Sequence, residues 1–342
     1  MGGIKQIFRH VEALRSIGRD AYVLLMDSRV PSWFASDAPI AHLKPARREW
    51  LPRRTKEARG LEWLGGTAPE VDLRGASSAP ARRRLGPQDY LVLPEFYGTS
   101  MRRCTFGAQL LVFNQNAHYT FNGAQLEGGI AEMIYAHDLA GVLAVSRHTF
   151  DYLSYAFGSA RIHLTPNGVD TSVFYPGGDK RRQIAYMPRK LPHHLLQVVQ
   201  LLGARGALDG WALRPIEAMS EADVAQALRE SAFFISSCHE EGFGLPPLEA
   251  AACACTVVGY TGYGAGEFML PEHCYPIAQG DVLSFAQTLE QLLREYEVDP
   301  ARLRQQAERF SAFVRERYSK DVERASIIEA WRSIAPHLAA AA

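Results

Sequence analysis

The feature that most constrains the fold is the alternation running through residues 184–258, where short apolar runs and helical segments take turns. Residues 184–187, 211–213, 233–236 and 256–258 read as strands, and residues 194–202, 220–231 and 246–254 as the helices between them. Continuous apolar runs of this length belong to strands covered on both faces. Strand and helix in alternation then build a parallel sheet with helices packed on it. Ser220 opens one of the helices with Asp223 at its third position, the spacing of a capping box.

The first half repeats the theme less regularly. Ile4, Ile7, Val11 and Leu14 lie at helical spacing and Gly18 ends the run, before a short apolar strand at 21–26. Strand signals return at 90–93, 110–113 and 142–145. Residues 31–88 are rich in Arg, Pro, Ala and Gly with weak periodicity and read as an irregular excursion. At 342 residues the chain exceeds what one hydrophobic core usually serves. We expect a first domain over 1–175 and a second over 176–315, which opens on a Pro-Gly-Gly turn and the charged run 179–182 that read as the linker. The tail from Asp281 onward reads as helical, and its last helix, 316–342, is expected to cross back to the first domain.

Composition removes several classes of function. Apolar residues make up 47% and charged residues 22%, which is the balance of a globular chain rather than a disordered one. Lys plus Arg and Asp plus Glu are 37 each, so no global field draws the protein to nucleic acid. One local exception lies at 44–59, where Lys44, Arg47, Arg48, Arg53, Arg54, Lys56 and Arg59 face only Glu49 and Glu57, with Trp50 among them. A basic stretch with an aromatic suits an anionic membrane surface, whereas Pro45 and Pro52 break any long amphipathic helix and favour a solvated charge run. No stretch approaches the roughly 18 apolar residues of a spanning helix, and the first residues lack a signal-peptide pattern. The expected compartment is the cytoplasm, with peripheral contact at the inner membrane face as the alternative. The five cysteines include no C-x-x-C pair and read as reduced thiols in the core. Cys238 beside His239, with Cys253 and Cys255 nearby, fits no familiar zinc spacing.

The segment that carries chemistry is 239–250, H-E-E-G-F-G-L-P-P-L-E-A, which follows a strand and enters a helix. Gly242 and Gly244 let the backbone approach a ligand closely and adopt dihedrals that a side chain forbids. Pro246 or Pro247 suits the first helical turn, and the partial positive charge of that helix end favours a phosphate. Glu249, read onto the first turn of the helix, is placed to accept two ribose hydroxyls. Nucleotide recognition follows from these three features together.

Glu241 and Glu249 form an E-x7-E pair in which the chain resembles the retaining GT-B glycosyltransferases, family 4 in particular. Similar to that family are also Gly2-Gly3, Val145-Ser146 closing a strand, Pro166-Asn167-Gly168-Val169-Asp170 with Phe174, and residues 262–267 after the next strand. The resemblance implies an α/β chain of two Rossmann-like parallel-sheet domains facing across a cleft. It implies transfer of a hexose or deoxyhexose from a nucleotide-sugar to a sugar or glycolipid acceptor in polysaccharide building, with no cofactor and no metal. In its terms Glu249 binds the ribose, Glu241 lies by the donor sugar, and the amides of Gly242, Phe243, Gly244 and Leu245 hold sugar and diphosphate. Gly2 and Gly3 look like a first-domain loop that meets the phosphates, and Arg189 with Lys190 like the basic pair that neutralises them. Protein charge then replaces the divalent ion of D-x-D enzymes, a motif this sequence lacks.

His118, in N-Q-N-A-H-Y-T-F after a strand, sits where family members place an active-site histidine, the alternative being a loop histidine without a role. Glu240, Asn114 and Asn116 are weaker candidates, and Asn167 reads as a turn-former. Two features depart from the family. The strand that usually precedes Gly2-Gly3 is absent, so either the true start lies upstream or the first sheet is incomplete. His193 and His194 stand where the second basic residue is commonly found. A nucleotide-sugar epimerase of the same fold, or a binding protein without transfer, are the competing readings.

Overall fold

Helix starts follow local capping chemistry, and strands follow the apolar runs between them. The computed structural model of the chain describes residues 2–25, 30–44, 70–73, 82–103, 107–124, 126–127, 135 and 139–336. The chain divides into two compact units, Met1–Thr165 with Arg324–Ala342, and Pro166–Glu323.

The first unit opens on α1 (Gly2–Arg15), so Gly2 and Gly3 are the first residues of a helix and not a loop ahead of it. Strand β1 (Val23–Leu25) pairs in parallel with β2 (Ile40–Lys44), and β3 (Glu70–Asp72) and β4 (Arg82–Arg84) add antiparallel to that edge. The segment 31–88 therefore supplies three strands where an irregular excursion was expected. Strands of three to five residues are too short to impose a readable period. The basic run beyond Lys44, and Cys104, lie outside the described residues. A second sheet, wholly parallel, orders β5 (Tyr90–Pro94), β6 (Gln109–Asn114), β7 (Gly141–Ala144) and β8 (Ile162–Leu164), with α2 (Arg147–Phe157) crossing from β7 to β8. Ser146 caps α2 by accepting the Thr149 N–H at 3.1 Å.

Both sheets share their cores. Ala41, Val71 and Leu73 of the first sheet pack in one cluster with Leu91, Leu93, Val112 and Val142 of the second. On α1, Phe8 and Val11 pack with Val23, while Ala13 and Leu14 pack with Leu111 and Trp331. Among the described residues no strand pairs with both β1 and β5.

The second unit contains five parallel strands: β9 (Arg181–Tyr186), β10 (Ala212–Pro215), β11 (Ser231–Glu241), β12 (Thr256–Tyr263) and β13 (Tyr275–Ile277). Their spatial order is β10-β9-β11-β12-β13. The chain leaves β9 toward one edge and returns to its other side, which makes the gap between the ends of β9 and β11 the topological switch point. Helices α3 (Pro192–Ala204), α4 (Glu221–Glu230) and α5 (Leu245–Ala252) are the crossovers, and α6 (Val282–Val298) and α7 (Ala301–Arg317) complete the layers. Asp281 accepts the Ser284 N–H at 2.9 Å and Ser220 the Asp223 N–H at 3.2 Å, as short polar residues ahead of helices do. The charged run 179–182 opens β9 rather than linking domains. Lys180 Nζ is held by the carbonyls of Leu228 and Cys253 at 3.0 and 2.6 Å.

One face of this sheet presents Ile184, Phe233, Ile235, Val258 and Tyr260 to Leu195 and Val198 of α3 and to Phe285 and Leu289 of α6. Trp211, Phe233 and Tyr296 meet edge to face at 5.3 to 5.6 Å. Phe233→Ala would cost about 3–5 kcal/mol through lost transfer energy and the cavity left behind. Helix α8 (Lys320–Ile334) starts in the second unit, and its later turns belong to the first, where Trp331 packs with Leu14. Cys238, Cys253, Cys255 and Cys274 are buried free thiols. Among the described residues no helix is long and apolar enough to cross a membrane.

Candidate functional site

Parallel sheets place their ligands beyond the carboxyl ends of the strands, at the switch point. In the second unit that position is a small solvent-open pocket lined by Met187, Arg189 and Lys190 after β9, by Ser236 and Glu241 of β11, and by Pro246 of α5. Lys190 Nζ and Arg189 Nη2 lie 3.5 and 3.6 Å from Glu241 Oε1. Lys190 also donates to the His239 carbonyl at 3.0 Å, which ties the basic pair to the end of β11. Arg189 is 62% exposed, so one cation is braced and the other reaches into solvent.

The G-F-G loop is held by its own backbone. Gly244 has φ +93°, a left-handed conformation that a side chain disfavours, and serves as N-cap of α5. A Cβ there would also lie 2.7 Å from the Cβ of Ala265. A Cβ on Gly264 would lie 2.4 Å from the Gly242 carbonyl oxygen, so the loops after β11 and β12 touch backbone to backbone. The Phe243 side chain is buried against Phe268 and Tyr318, ring centroids 5.5 and 5.8 Å away, and anchors the loop from below. Pro246 occupies the first turn of α5, where its missing N–H is not needed. Glu249 is the fifth residue of α5, one position further along the helix than expected, and it is not among the residues that line the pocket with Glu241.

Other residues singled out in the sequence make packing and hydrogen-bond contacts within the unit. The block from Asn167 to Asp170 packs on the start of α8. Val169 N–H donates to the Tyr318 carbonyl at 2.7 Å, Lys320 N–H donates to Val169 O at 2.9 Å, and a Cβ on Gly168 would lie 2.5 Å from Ser319 O. His194 meets the Tyr260 hydroxyl at 3.2 Å and is pulled down by burial and by the neighbouring His193 and His239. Glu240, with φ +47°, sits at the irregularity in β11 beside His239.

A second polar cluster lies at the carboxyl ends of β5 and β6 in the first unit. His118 stands on the single turn Ala117–Tyr119, capped by Asn116, whose side chain accepts the His118 N–H at 3.1 Å. Its ring stacks on His148 at 5.6 Å. Asn114 is fully buried and donates to the Thr120 hydroxyl at 2.9 Å and the Tyr135 hydroxyl at 2.8 Å. A Cβ on Gly3 would lie 2.7 Å from Gln115 Oε1, so this turn packs directly on the first turn of α1.

Sequence reasoning missed Glu95, which follows β5 and accepts the Gln115 N–H at 2.8 Å. Burial pushes its carboxyl up to about 7, against the pull of the Gln115, Glu95 and Asn116 backbone N–H groups. The available signal was a carboxylate standing immediately beyond the apolar run 90–94, of which Leu91 and Leu93 are buried.

Residues 192–295 match the family model described as glycosyl transferases group 1. An alpha-1,6-glucosyltransferase of Actinobacillus pleuropneumoniae serotype 7 (strain AP76) is 26% identical over 186 residues, which cover 52% of this chain and 54% of the relative. The chain thus spans about half the length of that curated relative. Sucrose-phosphate synthase from Thermosynechococcus elongatus superposes with a TM-score of 0.54 at 16% identity, covering 74% of each chain. Anabaena HepE in complex with UDP superposes with a TM-score of 0.58 at 14% identity, covering 72% of this chain and 79% of HepE, and HepE is also solved with UDP-glucose. These likenesses support a glycosyltransferase: residues 192–295 are similar to the glycosyl transferases group 1, and the chain has the α/β fold of the GT-B enzymes.

Proposed function

We propose that this protein is a retaining, metal-independent glycosyltransferase of the family 4 type, moving a hexose from a nucleoside-diphosphate-sugar to a hydroxyl of a polysaccharide or glycolipid precursor. The observation that carries the reading is the triad of Arg189, Lys190 and Glu241 at the switch point, beside the N-terminus of α5. Two cations and a helix end form an anion site that a diphosphate fills, and both stabilise the charge that the diphosphate gains as it departs. Glu241 belongs with the sugar and Glu249 with the ribose in the E-x7-E assignment. The amides of Gly242 to Leu245 hold the leaving group, with no metal or cofactor required. Gly2 and Gly3, at the N-terminus of α1, offer a second anion-favouring helix end, and His118 contacts sugar or acceptor. The named relative transfers glucose and HepE binds UDP-glucose, which makes UDP-glucose the first donor to test. The run 44–59 provides peripheral contact with anionic membrane on the cytoplasmic side, where lipid-linked acceptors are presented.

The test is a thermal-shift panel of nucleoside diphosphates and their sugars, followed by NMR of the anomeric proton of the product with and without chelator. We expect UDP and UDP-glucose to raise the melting temperature by mass action, an α-linked product, and no effect of EDTA. An inverted product or activity lost with chelator would overturn the mechanism, and stabilisation by no nucleotide would overturn the site.

A further inference from the structure

We propose that Glu95 is a positioning residue: its carboxyl holds the turn that carries Gln115 and His118 against the first turn of α1 and so sets the geometry of the acceptor-side site. The role of that site rests on the transferase reading above, but the anchoring does not.

The argument begins with register. Pairing of Pro94 with Phe113 places Glu95 opposite the peptide that follows β6. From there its carboxyl reaches across to the Gln115 N–H at 2.8 Å, with the Asn116 and Glu95 amides also drawn toward it. These amides belong to no strand ladder, and a buried backbone N–H left without a partner is costly. Three side chains then fix one short turn: Glu95 at its entry, the Asn116 cap on the His118 N–H in the middle, and the Asn114 to Thr120 bond at its exit.

The anchoring has a direction. Gln115 is held by its backbone from one side, and its side chain fills the space that a Cβ on Gly3 would need. A shift of this turn moves Gln115 on α1 and His118 on His148 together. Glu95 is only 3% exposed, so its carboxyl acts through the turn rather than by touching a ligand. The titratable side chain set against it is the Tyr135 phenol, which burial and, to a lesser degree, the Glu95 charge push up while Asn114 donates to its hydroxyl. The ionised carboxylate makes stronger bonds to the amides than the acid does, so the grip on the turn tightens as pH rises through neutrality.

The test compares the full-length protein with Glu95→Gln and Glu95→Ala. Glu95→Gln keeps a carbonyl acceptor for the Gln115 N–H but cannot ionise, and Glu95→Ala removes the acceptor. Histidine labelled at the ring Cε1 carbon reports on the turn through the His118 signal, assigned with His118→Asn, between pH 5.5 and 8.5. In the wild type the signal should carry an inflection near neutrality, where the Glu95 carboxyl changes charge. Glu95→Gln should lose that inflection while keeping the signal near its place, and Glu95→Ala should displace it across the range. Acceptor turnover should fall by about tenfold to a hundredfold in Glu95→Ala, as a displaced reacting group requires, with partial rescue in Glu95→Gln. UDP should still stabilise all three, because Arg189, Lys190 and the G-F-G loop lie in the other unit. Coincident His118 signals in the three proteins would overturn the proposal. Loss of UDP stabilisation in the wild type would overturn the transferase reading and leave the NMR comparison decisive. If Glu95→Ala does not fold, loss or retention of the inflection in Glu95→Gln decides.

Discussion

Lys190 Nζ lies 3.5 Å from Glu241 Oε1 while donating to the His239 carbonyl at 3.0 Å, so the strand that ends in the carboxylate also braces the cation beside it. Arg189 stands 3.6 Å from the same oxygen, and without ligand one carboxylate balances two cations. In the proposed function an arriving diphosphate would supply the missing negative charge.

Lys190→Met keeps the apolar stem and removes the charge. Donor affinity should fall about tenfold to a hundredfold, the loss of a hydrogen bond to a charged group worth about 1.5–3 kcal/mol. Stability should change little, since a partly exposed ion pair contributes at most about 1 kcal/mol. Calorimetry with UDP alongside a thermal melt separates the two. A large loss of stability with unchanged affinity would show Lys190 to be structural.

Gly264→Ala tests whether the G-F-G loop is held by its neighbour. The added Cβ would meet the Gly242 carbonyl oxygen at 2.4 Å, a backbone atom that cannot step aside alone. The loop after β11 must move, and amides aimed at a phosphate move with it. We expect donor affinity to drop by at least tenfold, about 1.4 kcal/mol, with the far face of the sheet unaffected. Unchanged nucleotide affinity would remove the loop from the site.

The second unit was readable because its strands are covered on both faces: Phe233, Phe234 and Ile235 are all buried, and such runs announce themselves. The turn into α5 was readable because glycine and proline mark backbone geometry directly, as Gly244 and Pro246 do. What escaped was set by distance in sequence. Glu95 and Gln115 meet only because β5 and β6 pair, and nothing local to either residue records the contact. The strands at 40–44, 70–72 and 82–84 escaped because three to five residues carry no period, and their pairing is decided by the sheet they join. Lys180 escaped for the opposite reason: a charged run reads as solvated, yet its amine caps carbonyls of α4 and α5 connections.

Two buried titratable groups in the first unit act on stability with opposite sign. Trp331 Nε1–H donates to His10 Nε2 at 2.6 Å, and burial pulls the imidazole down to about 4 from 6.5. The unfolded chain binds that proton first, so this contribution is complete above pH 6.5 and is lost as pH falls toward 4. Burial pushes Glu95 up to about 7 from 4.5, so its contribution is complete below pH 4.5 and is lost as pH rises through 7. Each amounts to roughly 3 kcal/mol, and between pH 4.5 and 6.5 they offset. Glu95→Gln should therefore gain stability as pH rises across this window, and His10→Asn should lose it. Urea melts at several pH values measure both slopes, and parallel slopes in the two variants would contradict these assignments.

The last prediction separates the two glutamates. Glu249 is one turn into α5 and outside the pocket that Glu241 lines, so the two carboxylates address different parts of a donor. If Glu249 accepts the ribose hydroxyls, Glu249→Ala removes an interaction common to ground and transition states. Donor affinity should fall by about 1.5–3 kcal/mol, with turnover at saturation largely kept. Glu241 instead balances Arg189 and Lys190, and in the proposed function its charge would be felt where positive charge develops on the sugar as the diphosphate leaves. Glu241→Gln keeps the shape and removes the charge, so turnover should fall further than affinity. UDP alone should bind Glu241→Gln at least as tightly as it binds the wild type, because both cations are then free to face the phosphates. Measuring the affinities for UDP and UDP-glucose and the turnover for each variant gives a two-way pattern. Weaker UDP binding in Glu241→Gln, or unaltered donor affinity in Glu249→Ala, would exchange or cancel the assigned roles while leaving the fold intact.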